Sequence, residues 1–173
     1  IEHYIKPFLG AEEFINSKSR WCLWFNGISE SDLQNLKENS PLVKARLENV
    51  AAMRAASPKV PTQKLAEKPH LFGEIRQQKG GNYLIIPSVS SERRAFIPID
   101  YVSAEVINSN ANFSLPNATL YHFGILCSTM HNAFMRTVAG RLESRYRYSN
   151  TIVYNNFPFP NVDEEAKTTI GEY

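Results

Sequence analysis

The spacing of apolar residues divides the chain into a few predicted helices and strands. The longest helical pattern runs from Asn117 through Ala139, where apolar residues recur at three- and four-residue steps until Gly140. A second helix is predicted from Pro41 to about Ala56, because Ser40-Pro41 is typical of a helix start and an apolar stripe follows it. Ser29 is placed to cap a shorter helix between strand-like segments.

Short apolar runs bounded by turn residues predict the strands, which lie at residues 3–8, 20–25, 83–87 and 105–107, around Phe113, and at 151–154. Residues 57–67 contain Pro58 and Pro61, which predict a stiff segment without regular structure. We therefore expect a mixed α/β (α+β) fold. In it, a small and partly antiparallel sheet packs against two main helices, Pro41–Ala56 and Asn117–Ala139.

Length and composition are those of one globular domain, with 173 residues that are 43% hydrophobic and 21% charged. No apolar run is long enough for a membrane span and no signal-peptide pattern opens the chain, so we expect no membrane partner and a cytoplasmic location. Because the chain opens at Ile1 on an apolar run, we expect a domain of a longer polypeptide. Its acidic last residues, 161–173, are expected to be a fraying tail or linker.

Charge is unevenly distributed behind a net charge of +2. Residues 1–39 hold four Lys/Arg and six Asp/Glu, residues 40–147 hold fourteen and seven, and residues 148–173 hold one and four. A basic middle between acidic ends predicts either a positive surface that binds a polyanion or charges that spread evenly once the chain folds. The sequence leaves both open.

The segment Val89–Ile99 carries the most distinctive polar residues. Two apolar runs, 83–87 and 95–99, enclose Ser90, Ser91, Glu92, Arg93 and Arg94, which we expect together at the tip of a hairpin-like element. Arg can donate two hydrogen bonds to guanine, Glu can accept from cytosine, and Ser can do either. The segment is therefore either a reader of DNA bases or a solvated turn.

Catalytic patterns are missing from the sequence. No Gly-x-Gly spacing is present for a nucleotide or S-adenosylmethionine, and the four histidines lack metal-ligand spacing, so we assign no catalytic, cofactor or metal residue. Asn156-Phe-Pro-Phe159 approaches the Asn-Pro-Pro-Tyr loop of DNA amino-methyltransferases, but Phe stands where the first Pro belongs. We interpret it as an aromatic and proline cap over the core.

Five separated motifs together resemble the target-recognition region of the MmeI-like (Type IIL) restriction–modification enzymes, which belong with the DNA adenine methyltransferases. The motifs are Arg20–Phe25; Arg54, Ser57, Thr62, Leu65-Ala66, Pro69 and Phe72; Pro87–Arg94 with Ile97–Ile99; Tyr121–Leu126 through His131–Arg136; and Tyr148–Asn150 with Asn155–Pro160. The resemblance runs from about Tyr4 to Pro160 and implies a DNA target-recognition domain over residues 1–160.

The resemblance implies that the chain reads a short sequence in double-stranded DNA for catalytic domains elsewhere in the same polypeptide. The partners are then duplex DNA and a methyltransferase domain that binds S-adenosylmethionine. This chain alone is not expected to be an enzyme; its parent is expected to methylate adenine-N6, with endonuclease activity left open. Base-reading roles are carried onto Ser90, Ser91, Glu92, Arg93, Arg94, Arg54, Ser57, Lys59 and Thr62.

A phosphate contact is predicted at Lys64 because it lies in a proline-stiffened segment. Arg141, Arg145 and Arg147, beside Tyr146 and Tyr148, either contact phosphates or form a solvated arginine-rich turn. On one strand Trp21 and Trp24 would face opposite sides, so one of them is available to meet the methyltransferase domain. Two other hypotheses stay open. The chain is alternatively a protein-interaction module with a basic face, or a methyltransferase fragment that uses Asn156–Phe159.

Overall fold

The structure, a computed structural model, describes residues 1–172. Its helices are α1 (Ala11–Asn16), α2 (Glu30–Asn39), α3 (Pro41–Ala55), α4 (Val60–Lys64), α5 (Leu120–Cys127), α6 (Thr129–Val138) and α7 (Glu164–Glu172). Its strands are β1 (Ile5–Leu9), β2 (Trp21–Leu23), β3 (Asn82–Pro87), β4 (Val89–Ser90), β5 (Asp100–Ser103), β6 (Ile107–Asn108), β7 (Asn112–Pro116), β8 (Gly140–Leu142) and β9 (Arg145–Arg147). The mixed α/β class is confirmed.

The chain forms two compact units. Unit 1 consists of Ile1–Lys6 and Trp21–Arg76, and unit 2 consists of Pro7–Arg20 and the chain from Gln77 onward. The two predicted main helices belong to different units, Pro41–Ala55 to unit 1 and the helices within Asn117–Ala139 to unit 2.

Unit 1 is mainly helical and was largely predictable from local signals. The Ser29 hydroxyl accepts a hydrogen bond from the Asp32 N–H at 3.1 Å and so caps α2. Helix α3 begins at Pro41 as predicted, since proline in the first turn has no N–H to leave unsatisfied. A small core unites Phe25, Leu33, Val43 and Leu47.

Most of the segment 57–67 is helical, contrary to our prediction, since residues 60–67 form two short helices. Pro61 lies in the first turn of α4, where its missing N–H costs nothing, and a short 3₁₀ helix, Leu65–Glu67, follows. The Gln63 side chain closes the turn by donating to the Ser57 carbonyl at 2.8 Å. Pro61 therefore helps to start α4 instead of preventing it.

Unit 2 is built around the buried strand β3. Strands β5 and β7 pair with it on either side, both antiparallel, so that Leu84 faces Tyr101 on one neighbour and Leu115 on the other. Strand β1 pairs in parallel with β6. Helices α5 and α6 supply Leu126 and Met135 to the core beneath β3.

The predicted helix Asn117–Ala139 is two helices, a correction with a local cause. Ser128 adopts an extended backbone (ψ 156°) between α5 and α6. Its hydroxyl accepts from the His131 N–H at 3.1 Å, and its carbonyl accepts from the Asn132 side chain at 2.9 Å. Ser128 thus ends one helix and caps the next without interrupting the apolar spacing.

Other segments also differ from the prediction. Residues 3–8 start with a 3₁₀ turn, Glu2–Tyr4, before β1, and 151–154 lie in a π-helical turn, Asn150–Tyr154, instead of a strand. The acidic segment expected to fray contains α7. It lies against α5 so closely that an added Cβ at Gly124 would stand 2.9 Å from an Ile170 side-chain carbon.

Candidate nucleic-acid interface

The sheet β4–β9–β8 brings together two sets of predicted site residues that lie far apart in the sequence. Strand β4 pairs antiparallel with β9, so Val89 faces Arg147 and Ser90 faces Tyr146. Strand β8 pairs with the other edge of β9, so Arg141 faces Tyr146. The loop that follows β4, residues 91–96, therefore begins beside the hairpin of residues 140–147, which we call the arginine hairpin.

Strand alternation exposes the charges of the arginine hairpin. Arg145 and Arg147 stand on the exposed face of β9, whereas Tyr146 between them is 8% exposed and joins the core. Arg145 forms an ion pair with Glu143 at 2.9 Å. Arg147 has no ion-pair partner among residues 1–172, so its charge is available to an external anion.

Arg141 contributes to the surface differently. Its guanidinium carbon lies 3.7 Å from the centre of the Tyr146 ring, and its Nη1 donates to the Ser144 carbonyl at 3.0 Å. These contacts hold the Arg141 side chain along the hairpin. Arg141 is thus less free than Arg147 to reach a phosphate.

The 91–96 loop presents the next three residues of the predicted reader. The Ser91 carbonyl accepts from the Arg94 N–H at 3.2 Å, and the Ser91 hydroxyl accepts from the Arg93 N–H at 3.2 Å. Arg93 is 91% exposed at its side chain and stands 3.9 Å from the Glu92 carboxylate. The Glu92, Arg93 and Arg94 side chains extend from a closed turn.

Ser90 contradicts the expectation that all five residues lie at an exposed tip. It is only 3% exposed in β4, because that strand pairs with β9. The flanking apolar runs also do not pair with each other as a simple hairpin, since β3 pairs with β5 at residues 100–103. A buried Ser90 cannot reach a base from this position.

Sequence reasoning missed two residues that hold the loop. Arg136 donates to the carbonyls of Arg94 and Ala95 at 2.5 and 2.8 Å, and the Asn132 side chain accepts from the Ile97 N–H at 2.8 Å. Asn132 and Arg136 lie one helical turn apart on α6. The available signal was the motif His131–Arg136, to which no site role had been given.

The predicted site residues of unit 1 form a separate group. The Arg54 guanidinium donates to three carbonyls, those of Leu65, Lys68 and Leu71, at 2.8 to 3.0 Å. Three of its five donors are therefore used to hold the chain after α4, which opposes the base-reading role that we predicted for Arg54.

The remaining residues of that group differ in accessibility. Ser57 and Thr62 are half-buried, and the Ser57 hydroxyl accepts from the Lys59 N–H at 3.2 Å. Lys59 and Lys64 are exposed and free to meet phosphates. In the same unit Trp21 is 62% exposed, whereas Trp24 packs against Phe72 with the ring centres 5.3 Å apart.

The Asn156–Phe159 segment is built as a core cap, as the sequence predicted. The Asn156 Nδ2 donates to the Thr151 and Ile152 carbonyls at 2.7 and 3.0 Å, which ties this side chain to the preceding turn. Phe157 is buried and packs edge-on against His131 with the ring centres 4.9 Å apart.

His131 is the most enclosed titratable group near this cap. It is 0% exposed, and its Nε2 lies 3.2 Å from the Tyr148 hydroxyl. Burial lowers the pKa of His131, and the nearby Leu126 backbone opposes this change only in part. Burial likewise raises the pKa of Tyr148. Both groups are therefore neutral, internal parts of the fold near pH 7.

Other kinds of site have little support in the described chain. Within residues 1–172, no group of three or more His, Cys, Asp or Glu side chains is arranged to hold a metal ion. None of the helices formed by these residues is long and apolar enough to cross a membrane. The fold and the exposed arginines on β9 and the 91–96 loop define a mixed α/β module suited to recognising an anion.

Comparison with known proteins agrees with this class. Residues 1–161 match the family described as MmeI, target recognition domain, and the chain belongs to that family. It is 39% identical over 170 residues, or 98% of its length, to DNA methyltransferase A of Bacillus subtilis (strain 168), of which it covers 19%.

A solved structure gives the same result. The chain superposes with a TM-score of 0.92 and 47% identity on the Type IIL restriction–modification enzyme MmeI, whose structure was determined in complex with DNA. The match covers 99% of this chain and 22% of that enzyme. The chain thus spans about a fifth of the length of these relatives, and the family resemblance inferred from the sequence is confirmed.

Proposed function

We propose that this chain recognises a short sequence in double-stranded DNA and thereby sets the target site of a DNA methyltransferase. One observation carries the proposal: Glu92, Arg93 and Arg94 extend from a closed turn that begins beside the exposed arginines of β9. The related MmeI enzyme binds DNA, and the family is one of target recognition domains.

The two groups of arginines suit different parts of DNA. Arg145 and Arg147 lie on a flat exposed strand face, which fits phosphates along a backbone. Arg93 and Arg94 project from a narrow loop, which fits the floor of a major groove, where Arg pairs with guanine and Glu accepts from cytosine. Phosphate contacts then fix the register in which the loop reads bases.

The residue assignments follow from accessibility. Base reading is assigned to the exposed Arg93 and Arg94 with the half-buried Ser91 and Glu92 beside them, and phosphate contact to Lys64, Arg145 and Arg147. Lys59, with Ser57 and Thr62 near it, forms a second candidate contact in unit 1. Ser90 and Arg54 are assigned to the fold.

Methyl transfer is assigned to a methyltransferase domain outside this chain, since the sequence has no Gly-x-Gly spacing of the kind that binds S-adenosylmethionine. We expect the cofactor, adenine-N6 methylation, any endonuclease activity and a cytoplasmic location to be properties of a larger polypeptide that contains this chain.

Binding by the chain to a labelled 20-base-pair duplex tests the proposal, with unlabelled duplex and heparin as competitors. We expect duplex DNA that contains the preferred sequence to compete at lower concentration than heparin at equal charge. If heparin and unlabelled duplex displaced the labelled duplex equally well, binding would depend on charge alone. That result would favour a protein-interaction module and contradict the proposal.

Variants of the loop test how bases are read. Arg94→Ala is expected to change which bases are preferred, by about 1–3 kcal/mol for a lost bidentate contact, while Ser90→Ala should leave the preference unchanged. An equal loss of affinity on all sequences for Arg93→Ala and Arg94→Ala would make the loop a phosphate contact and not a reader.

A further inference from the structure

We propose that Arg136, together with Asn132, is a positioning residue that fixes the 91–96 loop and so determines base selectivity without contacting a base. The inference rests on the proposed function for its effect on selectivity. The immobilisation of the loop is argued separately, from contacts within unit 2.

The loop has few other constraints. Its residues form no strand pairing, and its own bonds close only the turn that starts at Ser91. The polypeptide after that turn is held by α6, through the two carbonyl contacts of Arg136 and the Asn132 contact to the Ile97 N–H. Three anchored backbone groups, at Arg94, Ala95 and Ile97, therefore lie at and directly after the outward side chains.

The anchors stand on a rigid support. Asn132 is 3% exposed, and its Nδ2 donates to the Ser128 carbonyl at 2.9 Å, which fixes the orientation of its amide. Its neighbours on α6, His131 and Met135, are buried. The helix cannot shift toward or away from the loop without disturbing the core.

Arg136 also links the loop to the arginine hairpin. Its guanidinium carbon lies 5.5 Å from the centre of the Tyr146 ring, and the Arg141 guanidinium carbon lies 3.7 Å from the same ring. The loop and the hairpin thus share one aromatic support. This arrangement couples the register set by phosphate contacts to the position of Arg93 and Arg94.

The consequence concerns selectivity more than affinity. A bidentate contact tolerates a displacement of only about 0.5 Å, so a loosened loop still carries its charge to DNA but no longer holds its donors against one base. Loss of Arg136 should therefore reduce discrimination among sequences and leave the general attraction to DNA largely in place.

Two variants separate this role from a direct phosphate contact. Arg136→Gln removes the charge, whereas Arg136→Lys keeps the charge but lacks the planar fork that holds the two carbonyls and stacks on Tyr146. Arg46→Gln, on the exposed face of α3, is the matched control for loss of one surface charge. Thermal unfolding identifies any variant that has lost its fold.

Two measurements are made on each variant in the full 173-residue chain. Amide hydrogen exchange of the bonded Arg94 and Ile97 N–H groups, without DNA, should accelerate in both Arg136 variants and stay unchanged in Arg46→Gln. Selection from randomised duplexes should show that both Arg136 variants enrich the preferred bases about fivefold less, or weaker still, than the wild-type chain. Fivefold corresponds to the lower end of the discrimination that one bidentate contact supplies. Arg136→Lys should retain the salt dependence of the wild-type chain.

The outcomes that overturn the inference are distinct. Unchanged exchange in both Arg136 variants refutes the immobilisation of the loop, and wild-type enrichment in Arg136→Lys refutes the selectivity role in favour of a phosphate contact. If the wild-type chain enriches no sequence, the proposed function and the selectivity role of Arg136 are both refuted. Amide hydrogen exchange then still decides whether Arg136 holds the loop.

Discussion

Replacing Arg147 by Gln removes an exposed positive charge from β9 without removing a packed side chain. Arg147 has no ion-pair partner among residues 1–172 and lies on the face opposite the buried Tyr146. If Arg147 meets one phosphate, the variant should bind DNA with a salt dependence smaller by about 0.9 in the slope of log affinity against log salt. Over a fourfold rise in salt, that is about a 3.5-fold smaller loss of affinity.

The neighbouring arginines should respond in a graded order. Arg145→Gln should change the slope less, because phosphate must compete with the Glu143 carboxylate 2.9 Å away. Arg141→Gln should mainly weaken the hairpin, since its guanidinium is stacked on Tyr146 and bonded to Ser144. Arg46→Gln provides the control for a surface charge outside the proposed interface.

Fluorescence anisotropy measures these slopes, with a duplex of fixed sequence titrated at five salt concentrations from 50 to 200 mM. Arg147→Gln should lower the slope on every duplex sequence by the same amount. An unchanged slope for Arg147→Gln, or a change in its sequence preference, would refute the assignment of this strand face to phosphates.

Three further predictions concern the fold. Arg54→Gln should destabilise the chain by about 1–3 kcal/mol in urea unfolding, because it removes charge-assisted bonds to three carbonyls. Arg46→Gln should have little effect. A change in base preference at unchanged stability would instead support a base-reading role for Arg54. The free energy of unfolding should fall as pH drops below about 6.5, because His131 binds a proton more readily in the unfolded chain than in the folded one. His131 contributes at most about 1.4 kcal/mol per pH unit to this fall. The slope of unfolding free energy against pH should be smaller in His131→Gln, and an equal slope would contradict this. Gly124→Ala should accelerate amide exchange in α7, since the added Cβ meets Ile170, and Gly80→Ala, where an added Cβ meets nothing within 4 Å, should not.

Local signals made much of the fold predictable. Ser29 capped α2 and Pro41 began α3 because each residue acts on its own turn. The break at Ser128 could not be predicted, because the apolar spacing continues from α5 into α6 and conceals a cap that depends on one hydroxyl. Pro61 was misinterpreted for a related reason, since proline ends a helix in its interior and begins one at its first turn.

The candidate site was harder to predict because it depends on contacts between distant parts of the sequence. Ser90 is buried because β4 pairs with β9, and no pattern in the neighbouring sequence predicts that pairing. Arg54 was predicted to read bases, but its guanidinium donates to carbonyls of the chain after α4. Arg136 acts on a loop in another part of the chain, so its importance becomes visible only in three dimensions.

The central claim is that this chain reads duplex DNA by sequence, and selection on randomised duplexes tests it most directly. The wild-type chain is bound to a randomised pool across a salt series, and the bound fraction is sequenced. We predict one enriched motif together with a steep loss of binding as salt rises. Binding that enriches no sequence, or no binding at 50 mM salt, would contradict the claim.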